Sequence, residues 1–257
     1  MVTQAAGQYL VGTSGWTYDH WKGVFYPEHL AKHRWFEYYA SLFPTVEINA
    51  TFYRTFKDQT YLNWRQRAPA GFRYVLKAPK TITHRKFLDD VADDVKAFWR
   101  SACLLDDRLG MVLLQLAPST PYDLDRLRQA LLAFGDPSRV AVEFRHSRWL
   151  TDETRQLLSD LGAAFCNVDS PRHHLTDWVT SSLGYIRLHG RKRWYAYNYS
   201  EAELEQIADT ARCMTRSGAQ VVYIFFNNDF EGYAPQNALY LGKQLSREDT
   251  PTFECQE

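Results

Sequence analysis

The sequence predicts an α/β fold closed as a (β/α)8 TIM-type barrel, and three observations carry that prediction. Eight short β-type runs alternate with amphipathic helical stretches along 257 residues, the arithmetic of eight strand–helix units. Cap and turn residues stand where the helical patterns stop. The strand bodies are apolar while their C-terminal tips are polar, as on the ligand-bearing face of such a barrel. An open doubly wound sheet is the competing arrangement. Gly12-Thr13-Ser14-Gly15 after the first strand has only two glycines, however, and runs into Trp16 rather than a helix, so the dinucleotide fingerprint is missing.

In chain order, strands are expected at 9–12, 45–48, 72–77, 110–116, 139–144, 163–169, 184–189 and 220–226. Apolar residues at helical spacing fill 32–43, 58–67, 87–106, 122–134, 151–161, 201–216 and 235–244. Ser200 ahead of Glu201 and Glu203 forms an N-cap with an acidic first turn, and Gly162 and Gly218 terminate the helices before them. The connection 170–183 shows no helical period, so the barrel is expected to be irregular between the sixth and seventh strands. With no linker, repeat or low-complexity segment, 1–257 is expected to be one domain with its core at about 9–245.

Composition narrows the function classes. Hydrophobic residues at 45% and charged residues at 23% exclude a disordered chain. Thirty basic residues cancel 30 acidic ones, so no overall field draws the molecule to nucleic acid or anionic lipid. The longest apolar run, 221–226, is far short of a membrane span, and Met1–Gln8 lacks the basic start of a secretory leader. Cys103, Cys166, Cys213 and Cys255 form no Cys-x-x-Cys pair, which argues against a zinc or redox motif and for reduced thiols in a cytoplasmic protein.

Alternate residues of a strand face opposite sides, so the inward set follows from the pattern. Val46 and Ile48 outside leave Glu47 and Asn49 inside; Val140, Val142 and Phe144 leave Glu143 and Arg145; Ile186 and Leu188 leave Arg187 and His189. The third strand adds Lys77, the fourth Gln115, the sixth Asn167 and Asp169, and the eighth Asn227. Three acids thus face three bases, beside a histidine that titrates near neutrality. Charges crowded into a closed mouth are costly unless paired, and the same crowding perturbs pKa values enough for acid–base work. A structural ion network capping the barrel is the alternative.

Two loops add to the pattern. His189-Gly190-Arg191-Lys192-Arg193-Trp194-Tyr195 sets three cations in a row where barrels often grip phosphate, with backbone amides near Gly190 as further donors. A solvated basic loop accounts for the same run equally well. After the first strand, Trp16, Tyr18, Trp21, Phe25 and Tyr26 could stack a sugar or base, but packing of the loop over the barrel is the better account. Thr51, Tyr53 and Arg54 after the second strand and Thr83-His84-Arg85 after the third could reach the mouth, or equally serve as capping and loop contacts.

No cofactor is expected. Glu47, Glu143, Asp169 and His189 suit a divalent ion, but Lys77, Arg145 and Arg187 compete for the same carboxylates. Glu143 and His146 have Glu-x-x-His spacing, yet residues three apart on a strand point to opposite faces.

Several of these segments resemble the YecE-like family of bacterial and archaeal barrel proteins, a domain of unknown function. Its carriers are Gly12-Thr13-Ser14-Gly15-Trp16, Phe25-Tyr26-Pro27, Val46-Glu47-Ile48-Asn49 with Thr51-Phe52-Tyr53, Ile82-Thr83-His84, Gln115-Leu116-Ala117-Pro118, Glu143-Phe144-Arg145-His146, Arg187-Leu188-His189-Gly190 and Phe226-Asn227-Asn228. Ala117 stands where the family pattern often has a first proline, a matter of loop shape. The resemblance runs from about residue 10 to 245 and implies a TIM-type barrel without supplying a reaction. Its likeness to metal-dependent sugar isomerases and to DNA-repair endonucleases is one of fold alone.

The expected function is therefore binding or conversion of a small anionic molecule, phosphorylated or sugar-like, by a hydrolase, isomerase or lyase. Glu47 and Glu143 would be the acid–base pair, with His189 and Lys77 polarising a carbonyl or stabilising developing negative charge. Arg191 and Arg193, with Arg145 or Arg187, would grip the anion, and Trp16, Asn49, Tyr53, Gln115, Asp169 and Asn227 would line the site. On this reading Glu143→Gln and Arg187→Ala fold but lose binding. The rival functions are nucleic-acid binding or phosphodiester processing, with loop cations on phosphates, and a non-catalytic interaction module. Oligomeric state has no signature in the sequence.

Overall fold

Runs rich in Val, Ile, Leu and Phe form strands here because both faces are buried, the outer against helices and the inner against the opposite wall. In the computed structural model, which describes residues 7–246, eight parallel strands pair in chain order and close into a barrel. They are β1 Gln8–Ser14, β2 Thr45–Ile48, β3 Arg73–Lys77, β4 Leu109–Gln115, β5 Val140–Glu143, β6 Ala164–Asp169, β7 Leu183–Leu188 and β8 Val221–Phe226. Closure is made by β1 and β8, with Tyr9 opposite Val222 and Thr13 opposite Phe226. The helices are α1 Trp35–Leu42, α2 Ala50–Tyr53, α3 Asp58–Arg67, α4 Ala92–Ala102, α5 Leu124–Ala133, α6 Asp152–Leu161, α7 Glu201–Arg216 and α8 Tyr233–Leu245. The expectations for Met1–Val2-Thr3-Gln4-Ala5-Ala6 and for Cys255 lie outside the described residues.

Two apolar clusters hold this shape. The outer one joins Val46, Ile48, Leu76, Val112, Leu114, Val140, Val142, Ile186 and Leu188 to the helices. The inner one fills the barrel with Leu10, Val75, Met111, Leu113, Ala141, Cys166, Val168, Tyr185, Tyr223 and Phe225. Burying each large side chain is worth about 1.5–3 kcal/mol. Gly12 permits the tight β1–β2 approach, since a Cβ there would lie 2.2 Å from the Thr45 carbonyl oxygen.

The expected caps form: Ser200 and Glu203 close a reciprocal capping box at α7, and Gly162 ends α6 in the left-handed conformation. Among the described residues no helix is long and apolar enough to cross a membrane.

The departures have physical causes. The helix expected at 87–106 is confined to α4, because Phe87, Leu88 and Asp90 take positive φ of 50°, 66° and 45°. A π-helical turn at Thr81–Arg85 and the short α2 fill loops in which no helix was expected. The segment between β6 and β7 carries no helix, as its missing period predicted.

On β6 the inward set is the opposite of the one expected. Ala164, Cys166 and Val168 belong to the inner cluster, so Asn167 and Asp169 face outward. Small inner residues leave room for Tyr185 and Phe225. Outside, Asn167 serves the helix-less connection, accepting from Thr176 N (3.0 Å) and Thr176 Oγ1 (2.7 Å) and donating to the Trp178 carbonyl (3.1 Å).

Candidate functional site

The C-terminal strand ends converge on a polar floor. Glu47 at the tip of β2 accepts Ser14 Oγ (2.7 Å) and Arg187 Nη2 (2.7 Å) on Oε1, and Tyr185 Oη (2.6 Å) and Arg187 Nε (2.9 Å) on Oε2. All four of its acceptor positions are taken. Glu143 at the tip of β5 accepts Gln115 Nε2 (2.9 Å) and Arg145 Nε on Oε1, and Arg187 Nη1 (2.5 Å) on Oε2. Glu47 and Glu143 are fully buried and Arg187 nearly so. Burial by itself would raise both carboxyl pKa values. The guanidiniums of Arg187 for Glu47, and of Arg145 and Arg187 for Glu143, reverse that and hold both carboxyls below the ordinary range.

His189 completes the floor. Its Nε2 lies 3.2 Å from Arg145 Nη2 and 3.3 Å from Arg187 Nη1. A guanidinium only donates, so Nε2 is the bare nitrogen and the ring proton sits on Nδ1. The Asn227 side-chain amide lies 3.0 Å from Nδ1 and must turn its carbonyl oxygen there. Burial first, and then Arg187 and Arg145, push the His189 pKa well below its usual value, so the ring is neutral. With Nε2 held by two cations, His189 has no proton on that nitrogen to offer a ligand.

Above the floor stands Lys77, the last residue of β3. It is 8% exposed, and its Nζ lies 4.2 Å from the centroid of the Phe52 ring. Among the described residues Nζ makes neither a hydrogen bond nor an ion pair. Burial, reinforced by Arg187 and Arg145 against the pull of Glu143 and Glu47, lowers its pKa to about 8. Arg145 has side-chain exposure of 14%; its Nη1 has no partner among the described residues, and its guanidinium lies 5.3 Å from the Trp194 ring.

Of the residues expected at the site, the structure brings together Glu47, Lys77, Gln115, Glu143, Arg145, Arg187, His189 and Asn227. Asn49 follows β2 with a buried Oδ1 that has no partner among the described residues. Tyr53 stands at the rim, 67% exposed, edge-on to Phe52 at 5.0 Å. Trp16 packs edge-on to Phe36 at 5.4 Å, and its carbonyl accepts Tyr26 Oη. With Trp21 fully buried and Tyr26 stacked on Trp35 at 4.4 Å, the first aromatic loop is a small core of its own.

The basic loop splits its cations: Lys192 and Arg193 are exposed and Arg191 is engaged. Arg191 turns to the outer face, donating to Asp169 (2.9 Å), Glu203 (3.4 Å) and Gln206 (3.1 Å). Asp169 thus pairs outside the mouth, and burial raises its pKa despite Arg191. Arg193 lies 6.0 Å from the Phe230 ring. The Gly190 amide donates to Tyr199 Oη at 2.8 Å, and its φ of 100° lets the loop fold so closely that a Cβ would meet Arg193 O at 2.6 Å. That fold lays Trp194 over His189, ring centroids 5.3 Å apart.

Tyr185, Ser14 and Phe52 complete the arrangement, and the sequence does not assign any of them to the strand-end cluster. The alternation Tyr185, Arg187, His189 on β7 already puts Tyr185 inward. Ser14 required knowing that β1 runs two residues past Gly12. Among the described residues no three His, Cys, Asp or Glu side chains gather to hold a metal ion.

A family model described as a protein of unknown function, DUF72, matches residues 10–256. UPF0759 protein YunF of Bacillus subtilis is 27% identical over 271 residues, covering 91% of this chain and 92% of its own. UPF0759 protein YecE of Escherichia coli is 35% identical over 115 residues, 44% of this chain and 42% of its own. Among solved structures, a DUF72 family protein from Thermotoga maritima is similar with a TM-score of 0.85 at 31% identity, over 93% of this chain and 100% of that one. Another from Enterococcus faecalis reaches 0.78 at 22% identity over 97% and 100%, a likeness of fold. The family resemblance read from the strand-end motifs is borne out.

Proposed function

We propose that this chain, which belongs to the DUF72 family of proteins of unknown function, binds a small anionic molecule, phosphorylated or sugar-like, in its barrel mouth and acts on it there. One observation carries the reading: two carboxylates face three basic groups, and the cation in excess, Lys77, has no partner among the described residues. A single negative charge on a ligand balances the mouth. Lys77 Nζ and Arg145 Nη1 are the donors left for it, with Gln115 and Asn227 beside them for hydroxyl or carbonyl groups.

Roles divide by depth in this reading. Lys77 is the catalytic residue, exchanging a proton near neutral pH. Glu47, with every acceptor position filled, holds Arg187 rather than trading protons. Glu143 and His189 likewise position Arg145. Against the nucleic-acid alternative, one of its three loop cations, Arg191, is engaged by Asp169 and Glu203. Free thiols at Cys103 and Cys166 accord with a cytoplasmic protein.

Calorimetric titration with inorganic phosphate, ribose 5-phosphate and neutral ribose tests the proposal. Both phosphates should bind and ribose should not. Lys77→Met and Arg145→Gln should each weaken phosphate about tenfold or more, the worth of one charge-assisted hydrogen bond. Equal affinity for ribose and its phosphate, or no effect of either substitution, refutes it.

A further inference from the structure

Lys77 is fixed through its backbone. Its carbonyl accepts Thr51 Oγ1 at 2.6 Å, and the next residue, Ala78, donates its N–H to the Leu113 carbonyl at 2.9 Å, so the backbone at the strand tip is fixed. Its side chain rises beside the Phe52 ring into a mouth whose carboxylates are already claimed by Arg187 and Arg145. An ammonium there keeps little solvent and gains no counter-ion among the described residues. A neutral amine loses nothing, and its lone pair is a nucleophile.

We infer that Lys77 captures a small anionic aldehyde or ketone as an imine, with the anionic group of that compound lying on Arg145. The inference rests on the anion-binding reading above and narrows its substrate to carbonyl compounds. The Nζ lone pair attacks the carbonyl carbon, and the C=O π pair moves to oxygen, which takes a proton to give a carbinolamine. The nitrogen pair then forms C=N as the C–O bond breaks. One proton shed by nitrogen and one taken from solvent leave with the oxygen as water, nitrogen keeps its second proton as the iminium, and no oxidant or reductant is required. An iminium carries the same charge as the ammonium it replaces. The Phe52 ring and the ligand anion therefore stabilise it in the same place.

Chemical supply favours the step. With a pKa of about 8, roughly half of Lys77 is free amine at pH 8, against less than about 1% of an ordinary lysine. The charged groups around it act in opposite directions: Arg187 and Arg145 favour the amine, while Glu143 and Glu47 favour the ammonium. The His84 imidazole nearby is itself held toward neutrality by burial and by Lys77.

Reductive trapping tests this. The full chain is incubated at pH 8 with pyruvate or glyoxylate and cyanoborohydride, with acetaldehyde as the neutral control, and modified lysines are mapped by mass spectrometry. Lys77 should label with the anionic probes at least about tenfold faster than any other lysine, given its larger free-amine fraction. Excess inorganic phosphate should suppress that labelling and Arg145→Gln should slow it. Lys77→Arg and Lys77→Met, each checked for its fold by circular dichroism, should abolish the site. Even labelling of surface lysines, with phosphate still binding calorimetrically, removes the imine and leaves the anion reading standing. Selective labelling that neither phosphate nor Arg145→Gln alters keeps the amine and removes the grip of Arg145. No phosphate binding and no selective labelling removes both.

Discussion

Arg187 reaches from β7 to Glu47 on β2 and donates to both of its carboxylate oxygens, through Nε at 2.9 Å and Nη2 at 2.7 Å. The fork geometry is that of paired N–H···O bonds between guanidinium and carboxylate. Both groups are buried, 140 residues apart in sequence. Their closure joins two strands that do not neighbour each other in the sheet.

Arg187→Met should therefore destabilise the fold by about 3–5 kcal/mol, because it strands two buried carboxylates. From the sequence this arginine is expected to be removable without loss of the fold; its burial reverses that expectation. Urea denaturation measures the effect, and a loss under about 1 kcal/mol would show that the floor is not holding the barrel.

Acid should unfold the protein through the same residues. Glu47 and Glu143 have folded pKa values below their unfolded ones, so the unfolded chain binds protons that the native chain does not. Their contribution is complete above about pH 4.3 and is lost as pH falls toward the folded values, at up to about 1.4 kcal/mol per pH unit for each carboxyl. Denaturation midpoints from pH 7 to 2 check the slope. Glu143→Gln should flatten it, and an unchanged slope in that variant counts against the ion network.

Lys77→Met should make the protein more stable at pH 7. A lysine whose folded pKa is about 8 holds its proton at a cost of about 3 kcal/mol below that pH, and the cost fades as pH rises toward its unfolded value. The advantage of the variant should accordingly vanish near pH 10. A substitution that destabilises at pH 7 would mean that Lys77 belongs to the structural ion network. Stability gained with binding lost is the pattern expected of a functional residue.

His189 should show no titration between pH 5 and 8, with its ring proton on Nδ1. Long-range 15N-correlated NMR distinguishes the two ring nitrogens. Protonation of Nε2, or a midpoint inside that range, would contradict its position between two guanidiniums.

The candidate site was legible to different depths. On β2, β5 and β7, a branched or aromatic apolar residue alternates with a charged one, so each side can bury only one set. Glu47, Glu143, Arg187 and His189 were readable from that. On β6 the sequence Ala164-Phe165-Cys166-Asn167-Val168-Asp169 lets either face pass as the apolar one. The choice went to the side where small residues make room for Tyr185 and Phe225. The run Arg191-Lys192-Arg193 looked like an anion grip because a charge run carries no sign of its partners. Only the position of α7 brings Glu203 and Gln206 to Arg191.

By itself the sequence determined the alternation of strand and helix, the polar strand tips and the family, since these depend on local periodicity and short motifs. Which charges neutralise one another was decided by tertiary structure. Ion pairing falls steeply with distance through space, and residues on β2, β5 and β7 meet only when the barrel closes. Closure satisfied Glu47 and Glu143 through Arg187, Arg145, Tyr185, Gln115 and Ser14, and left the Lys77 amine without a partner among the described residues.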